Sequence, residues 1–193
     1  MGMLITEFFI TKEHRGQVMV DRKDIQNIFS EELDWIKDKD LREKVIDVWH
    51  KAAQLGKWDD LKKIPFTLLF ENSGLLIDHT KRITHLAKAI YENRDEKLNQ
   101  DYLIAGALLH DVGKLLEYDI VNGKIIKGEY GKKFRHPVSG SMLAKNLGLS
   151  DEIVHIIFAH SHEGDKTERS PEAVIVHHVD FIDFHIKKGL VKS

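Results

Sequence analysis

Apolar residues recur every three or four positions along most of the 193-residue chain, the spacing typical of amphipathic helices. Residues 23–56 contain stripes that predict one or two helices, and a short helix is expected over 58–64, before Pro65. Further segments with helical spacing begin near Asn72, Asn99, His136, Ser150 and Pro171. The pattern predicts an all-α protein.

Residues 119–135 break this periodicity. The Asn122–Gly123 pair lies between short apolar runs, a combination typical of a β-hairpin. We therefore expect a short two-stranded flap or an irregular loop as an insertion between helices. No repeat, linker or low-complexity stretch divides the chain, which favours a single domain over residues 1–193.

Composition narrows the function classes. Hydrophobic residues make up 42% and charged residues 31% of the chain, values ordinary for a globular protein with a core. The net charge of −2 provides no basic field that would attract nucleic acid or an anionic membrane. Cysteine is absent from the sequence, which excludes disulfides, thiolate metal sites and a cysteine nucleophile.

The N-terminal sequence MGMLITEFFITKEHRG contains an apolar run that charge soon interrupts. The run is too short for a signal peptide or a membrane span. The Met1–Gly2 start fits a myristoylation motif only loosely. We therefore expect a cytoplasmic protein that is not bound to a membrane.

Histidine and aspartate residues provide the candidate chemistry. Twelve histidines are many for this length, and groups able to bind a metal lie at the ends of five separate segments: His79, His110 with Asp111, His136, His160 and Asp180. Four imidazoles and two carboxylates suit zinc, manganese, iron or nickel better than calcium or copper(I). Six ligands exceed the needs of one catalytic metal, so a carboxylate that bridges two metals is expected, with Asp111 as the natural bridge.

These segments resemble the HD-domain superfamily of metal-dependent phosphohydrolases. The motifs are, in order, DHTKRITHLA, ALLHDVGK, RHPVSGSMLA, IIFAHSHEG and PEAVIVHHVDFID. A single His–Asp pair would be a weak signal, but five motifs in the family's order make the resemblance specific. It implies an HD-domain helical bundle with its core at about 72–187 and a mono- or dinuclear metal centre, and we expect the helices of residues 1–70 to pack on this core.

The resemblance also implies roles for individual residues. The implied ligands are His79, His110, Asp111 and Asp180 for one metal and Asp111, His136 and His160 for a second. Lys114 matches the lysine of the family's HDxGK variant, which lies close to the substrate phosphate or the attacking water. On a helix Lys114 would share one face with His110 and Asp111. Asp111 and Lys114 are therefore the candidate catalytic residues.

Some assignments stay open at the level of sequence. His162 competes with His160, and Asp183 competes with Asp180 one helical turn away. The resemblance favours His160 and Asp180 as ligands. His162 is kept as a ligand or a neighbour of the ligands, and His177, one turn before Asp180, as a residue that orients it.

Basic residues cluster in the insertion just before His136. The cluster comprises Lys124, Lys127, Lys132, Lys133 and Arg135. A solvated hairpin is the plainer interpretation, and a charged lid that attracts a phosphate towards the metals is the functional one. Lys133 and Arg135 from this cluster, and Arg169 further on, are the candidates for contact with a substrate phosphate.

The favoured function is hydrolysis of a phosphate mono- or diester of a small molecule, with a nucleotide as the leading substrate. Water activated by one or two divalent ions (Mn, Ni, Fe, Zn or Mg) would be the nucleophile. Nucleic acid is not an expected partner, because no aromatic and basic groove accompanies the motifs. The alternatives are a di-iron oxygenase with a similar ligand set and a non-catalytic sensor that binds a nucleotide.

Overall fold

The computed structural model describes residues 19–191, most of which belong to helices. The helices are α1 (Arg22–Ile28), α2 (Ser30–Asp34), α3 (Lys39–Gly56), α4 (Leu76–Glu92), α5 (Gln100–Leu109), α6 (Lys114–Glu117), α7 (Glu129–Lys133), α8 (His136–Asn146), α9 (Asp151–Ala159) and α10 (Pro171–Val191). The all-α prediction is confirmed. None of the helices described combines the length and apolar character needed to cross a bilayer. The expectations for residues 1–18, including the Met1–Gly2 start, lie outside the described residues.

The segment 23–56, predicted to form one or two helices, is divided among three. Asp21 caps the start of α1 and Asp38 caps the start of α3, each by accepting backbone N–H groups of the first turn. Asp101 of α5 accepts hydrogen bonds from the backbone N–H groups of Lys37 and Asp38, both at 2.9 Å. The break between α2 and α3 is therefore held from outside by α5, a contact that local periodicity does not reveal.

The helix expected over 58–64 is shorter than predicted. The structure has a single 3₁₀ turn, Leu61–Lys63, which Asp60 caps. Ile64 returns to an extended conformation. This is the conformation favoured for a residue that precedes proline, here Pro65.

Two tryptophans join the N-terminal helices to the chain on either side of residues 109–113. The indole N–H of Trp49 donates to the carbonyl of Leu108 at 3.0 Å, and that of Trp58 donates to the carbonyl of Leu115 at 2.8 Å. Both rings are fully buried, and a buried indole N–H requires such an acceptor. The two bonds fix the backbone before and after the His–Asp motif.

Helix α5 lies at the centre of the packing, and its segment Leu103–Leu109 is entirely buried. Helices α3, α4, α9 and α10 pack around it. Gly106 permits a close approach to α9, because a Cβ atom at this position would lie 2.5 Å from Cγ2 of Ile156. His110 and His160 follow the ends of these two helices, and their ring centroids lie 5.0 Å apart.

The insertion forms the predicted hairpin. Strands β1 (Tyr118–Val121) and β2 (Lys124–Lys127) pair antiparallel, with Val121 opposite Lys124. Asn122 and Gly123 both have positive φ, at 53° and 74°, as a two-residue turn of the tight type I′ requires. The short helix α7 follows β2 and was not predicted.

We expect the Gly106→Ala substitution to lower the free energy of unfolding by about 1–3 kcal/mol, because the added methyl group overlaps Ile156. The matched control is Gly189→Ala in α10, where a Cβ atom meets nothing within 4 Å. Alanine's higher helix propensity should leave that variant as stable as the wild type, or more stable by up to about 1 kcal/mol. Urea denaturation followed by circular dichroism measures both, and equal effects would contradict close α5–α9 packing.

Candidate metal centre

Two groups of imidazole and carboxylate side chains meet inside the described part of the chain. The first group comprises His79, His110, Asp111 and Asp180, and the second group comprises Asp111, His136 and His160. Within each group, one ligand atom from every residue lies within 4.8 Å of the others. Asp111 belongs to both groups. The structure thus brings together all six side chains that the sequence analysis nominated as ligands.

Five helices position these side chains. His79 lies in the first turn of α4, Asp180 lies within α10, His110 and Asp111 follow α5, His136 begins α8, and His160 follows α9. Gly113 allows α8 to approach the turn that carries Asp111, because a Cβ atom at Gly113 would lie 2.1 Å from the carbonyl oxygen of His136. A larger residue at this position would force α8 away from the carboxylate.

Backbone carbonyls fix the tautomers of two of the histidines. His110 Nδ1 donates to the carbonyl of Ala107, and His160 Nδ1 donates to the carbonyl of Ile157, both at 2.7 Å. A carbonyl oxygen only accepts, so the proton lies on Nδ1 and the lone pair lies on Nε2. Both Nε2 atoms are therefore ready to bind a metal.

Carboxylates orient the other two histidines. His79 Nδ1 donates to Asp183 at 2.7 Å, and His136 Nδ1 donates to Glu117 at 2.8 Å. Arg82 holds Asp183 in turn with two N–H groups, at 2.8 and 3.0 Å. Hydrogen bonds of this kind fix the ring of a metal-binding histidine and increase its basicity.

The remaining ring nitrogens test whether a metal fits. Nε2 of His79 and Nε2 of His110 lie 3.1 Å apart, although both rings donate through Nδ1. Nε2 of His160 is buried and has no hydrogen-bond partner. The two facing Nε2 atoms and the orphaned nitrogen of His160, beside the carboxylate of Asp111, form a donor set that a divalent cation satisfies. The residues present therefore fit a divalent metal.

The carboxylates around His79 favour a positive charge at the first ligand group. Burial opposes charge on His79, but contacts with Asp111, Asp180 and Asp183 outweigh it and raise the pKa of His79 to about 9. A proton and a divalent cation thus compete for the same nitrogen. Burial alone would raise the pKa of the Asp180 carboxyl, but its contact with His79 lowers that pKa to about 2.

Asp111 is the most constrained carboxylate of the centre. It is 1% exposed, and burial alone would raise its pKa. The Lys114 ammonium, 2.5 Å from Oδ2, and the rings of His110 and His136 instead hold the pKa of Asp111 well below its ordinary value. Asp111 is therefore ionised, as a metal ligand must be.

The family model of the HD domain matches residues 76–184, from the first residue of α4 into α10. More than half of the chain lies within this match. The chain belongs to the HD-domain family. The family model thus begins just before His79 and ends just after Asp180, so it contains all six nominated ligands.

Curated HD-domain relatives are phosphodiesterases and ribonucleases. The dihydroneopterin 2′,3′-cyclic phosphate phosphodiesterase of Methanocaldococcus jannaschii is 31% identical over 179 residues, which cover 81% of this chain and 68% of that protein. Ribonuclease Y of Thermotoga maritima is 27% identical over 72% of this chain but only 25% of its own length. The 3′-5′ exoribonuclease YhaM of a Geobacillus species is 35% identical over 58% of this chain and 37% of its own length. No solved structure matches significantly.

Three side chains that contact the nominated ligands were not assigned from the sequence. Glu117 orients His136 and lies one helical turn after Lys114. A carboxylate at this spacing in an apolar stretch is the sequence feature that could have identified it. Asp183 was weighed only as a competitor of Asp180. Phe66, whose ring stacks on His79 with centroids 3.8 Å apart, has no recognisable signal in the local sequence.

The two histidines kept as neighbours of the ligands have different positions. His162 is exposed, and its Nδ1 donates to Asp165 at 2.9 Å; it belongs to neither ligand group. His177 Nδ1 donates to the backbone carbonyl of His160 at 2.7 Å. His177 therefore contacts the chain that carries His160, rather than orienting Asp180 as the sequence analysis suggested.

A cavity of about 320 Å³ opens beside the HD centre, and Asp111, Lys114, His136 and Asp180 all contribute to its wall. Arg135 also lines the cavity and pairs with Glu163 at 2.8 Å. Of the three basic residues nominated for phosphate contact, it is the one that the structure brings to this cavity.

The other two nominated basic residues lie outside the cavity wall. Arg169 donates to the carbonyl of Ala159 at 2.7 Å, to the carbonyl of Ser161 at 3.1 Å and to the carboxylate of Asp165 at 2.7 Å. These bonds use its guanidinium to hold the loop after α9. Lys133 ends α7 and does not line the cavity. Lys127, another member of the basic cluster, does line it.

A third group of metal-binding residue types, Glu31, Glu32 and His85, lies away from the HD centre. Glu32 is almost fully buried, and His85 Nε2 lies 2.9 Å from one of its oxygens. The Lys81 ammonium lies 3.9 Å from the other oxygen. The Lys81 ammonium of the protein itself thus supplies positive charge at this group.

We expect the Glu117→Gln substitution to weaken metal binding at the second group about 10–100-fold, because the amide removes the negative charge that orients His136. The matched control, Glu129→Gln, removes an exposed carboxylate of α7 whose partner is Lys132. Calorimetric titration with Mn²⁺ or Zn²⁺ measures the affinity and the number of ions bound. If both variants bind the metal as the wild type does, the orienting role of Glu117 is wrong.

Proposed function

We propose that the protein hydrolyses a phosphodiester of a small molecule, and that a 2′,3′-cyclic phosphate of a nucleoside-like compound is its first candidate substrate. The observation that carries the proposal is the cavity lined by members of both ligand groups and by Lys114. Membership of the HD family and the relative named for a cyclic phosphate phosphodiesterase support metal-dependent phosphohydrolase activity.

The two ligand groups would hold one or two divalent cations, with Asp111 shared between them. When bound, such cations lower the pKa of water and polarise phosphoryl oxygens. The nitrogen and oxygen donors leave Mn, Ni, Fe, Zn and Mg as candidates. The hydrogen bonds of His79 and His136 to carboxylates keep their Nε2 atoms directed at the same place while a substrate binds.

Lys114 is the candidate for stabilising charge on the phosphoryl group. Its ammonium donates to Asp111 at 2.5 Å and to the carbonyl of Phe66 at 2.8 Å. An ammonium has three N–H groups, so one remains for a phosphoryl oxygen in the cavity. A fixed cation at this position stabilises the charge that develops on that oxygen in the transition state.

The cavity wall also carries three further polar groups, from Tyr118, Lys127 and Arg135. Burial and the negative charges of Asp111 and Glu117 raise the pKa of Tyr118, so its hydroxyl stays protonated and able to donate. We assign these groups to the two vicinal ester oxygens of the cyclic phosphate, one of which becomes a hydroxyl when water cleaves its P–O bond. Lys127 also pairs with Glu117, the carboxylate that orients His136, at 3.1 Å.

The cavity size favours a small substrate over a nucleic acid strand. A volume of about 320 Å³ lies at the lower end of the range of about 300–1,000 Å³ found for small-molecule sites. The ribonuclease relatives are much longer than the part they share with this chain, which covers a quarter of ribonuclease Y. We therefore propose a small-molecule substrate, and RNA serves as the comparison substrate in the hydrolysis assay.

The experiment is a hydrolysis assay with the full chain, loaded in turn with Mn²⁺, Ni²⁺, Fe²⁺, Zn²⁺ and Mg²⁺. We expect metal-dependent opening of guanosine 2′,3′-cyclic phosphate to a monophosphate, and much slower cleavage of an RNA oligonucleotide. The Lys114→Met variant should lose about 10²–10³-fold in kcat, because the phosphoryl oxygen loses its fixed cation. Product formation followed by chromatography measures all of these rates.

The matched control is Lys124→Met, which removes an exposed lysine of the hairpin that does not line the cavity. Its kcat should stay within twofold of wild type. Failure of the metal-loaded protein to hydrolyse any phosphoester in a broad panel would contradict the proposal. Tight nucleotide binding without turnover would instead favour the sensor, and metal-dependent oxygen consumption would favour the di-iron oxygenase.

A further inference from the structure

Residues 66–74, here called the strap, form a closed loop between the 3₁₀ turn and α4. The backbone N–H of Phe66 donates to the carbonyl of Gly74 at 2.8 Å, and the hydroxyl of Ser73 donates to the carbonyl of Thr67 at 2.9 Å. Asn72 and Gly74 have positive φ, which turns the chain back on itself. The base of the strap is therefore fixed, and Phe70 near its tip packs against Phe184 of α10, with ring centroids 5.8 Å apart.

The strap tip presents apolar side chains at the cavity. Leu68 is 39% exposed and Leu69 is 79% exposed, and both contribute to the cavity wall. Phe181 and Phe184 of α10 contribute to the same wall. The cavity thus has two different sides: a polar one at the ligand groups, and an apolar one made by the strap tip and two aromatic rings.

The strap is attached to the metal centre at its base. The ring of Phe66 stacks on His79, and its carbonyl accepts the hydrogen bond from Lys114. Phe181 directly follows Asp180 and packs against the ring of His177, with centroids 4.6 Å apart. The strap and Phe181 are therefore both attached to the fold beside the ligand groups.

We propose that Leu69 and Phe181 are specificity-determining residues, which hold a single planar ring of the substrate between the strap tip and α10. The inference rests on the proposed function, because it places the substrate's phosphate at the polar side. Aromatic side chains bind the flat face of a heterocycle whatever its edge groups are. A cavity of about 320 Å³ accommodates one ring system and its phosphate. The substrate class that we infer is therefore a phosphate ester of one planar heterocycle.

The test is calorimetric binding of two monophosphates to the metal-loaded full chain. Guanosine 3′-monophosphate carries a planar ring, and glycerol 2-phosphate carries a comparable phosphate without one. We expect the first to bind wild-type protein at least tenfold more tightly. The Leu69→Ser substitution should reduce the ratio of the two dissociation constants about tenfold, and Phe181→Leu should reduce it in the same direction.

The matched control is Ile186→Ser, which changes a 58% exposed apolar residue of α10 outside the cavity wall and should leave the ratio unchanged. Equal affinities of wild-type protein for the two monophosphates would overturn the inference. A Leu69→Ser variant that weakens both ligands equally would also overturn it, because that result indicates a structural role.

Turnover separates this inference from the proposed function. If the ring preference in binding is found but cyclic phosphates are not hydrolysed, the proposed function fails and the role of Leu69 and Phe181 stands. If cyclic phosphates with and without a ring are hydrolysed with equal kcat/KM, the proposed function stands and the specificity role fails.

Discussion

The carboxylate of Asp111 imposes the strongest constraint on the structure. An isolated buried carboxylate is among the most costly groups that a protein can contain, so it needs compensating charge and hydrogen bonds. Lys114 lies 2.5 Å from one oxygen, and His136 Nε2 lies 3.2 Å from the other. His136 begins α8 and Lys114 begins α6. The contacts that stabilise the Asp111 carboxylate therefore also position these two helices against the end of α5.

The groups around Asp111 are held in turn by groups further out. Glu117 fixes His136, Asp183 fixes His79, and the Phe66 carbonyl fixes Lys114. The hairpin takes part through Lys127, which pairs with Glu117 at 3.1 Å. The strap, the hairpin and α10 all line the cavity. Each is connected to the nominated ligands through a polar side chain: the strap through Lys114, the hairpin through Glu117 and α10 through Asp183.

Sequence periodicity predicts the elements that are stabilised by residues close in the sequence. It fails where a contact with a distant residue determines the structure. The longer helices and the hairpin follow from apolar spacing and from Asn122–Gly123, whereas the break between α2 and α3 depends on Asp101 in α5. The convergence of the six ligands was inferred from motif order rather than from spacing. The bond between His79 and Asp183 joins residues 104 positions apart, so no local pattern could assign it. The boundary between a core at 72–187 and attached N-terminal helices stays a prediction.

The most direct test of the central claim is anomalous X-ray diffraction from crystals of the protein loaded with Mn²⁺ or Zn²⁺. The account predicts anomalous peaks about 2.0–2.3 Å from the Nε2 atoms of the two ligand groups, with Asp111 contacting each ion that is present. Peaks confined to Glu31, Glu32 and His85, or no peak beside Asp111 in protein that binds metal in solution, would contradict it.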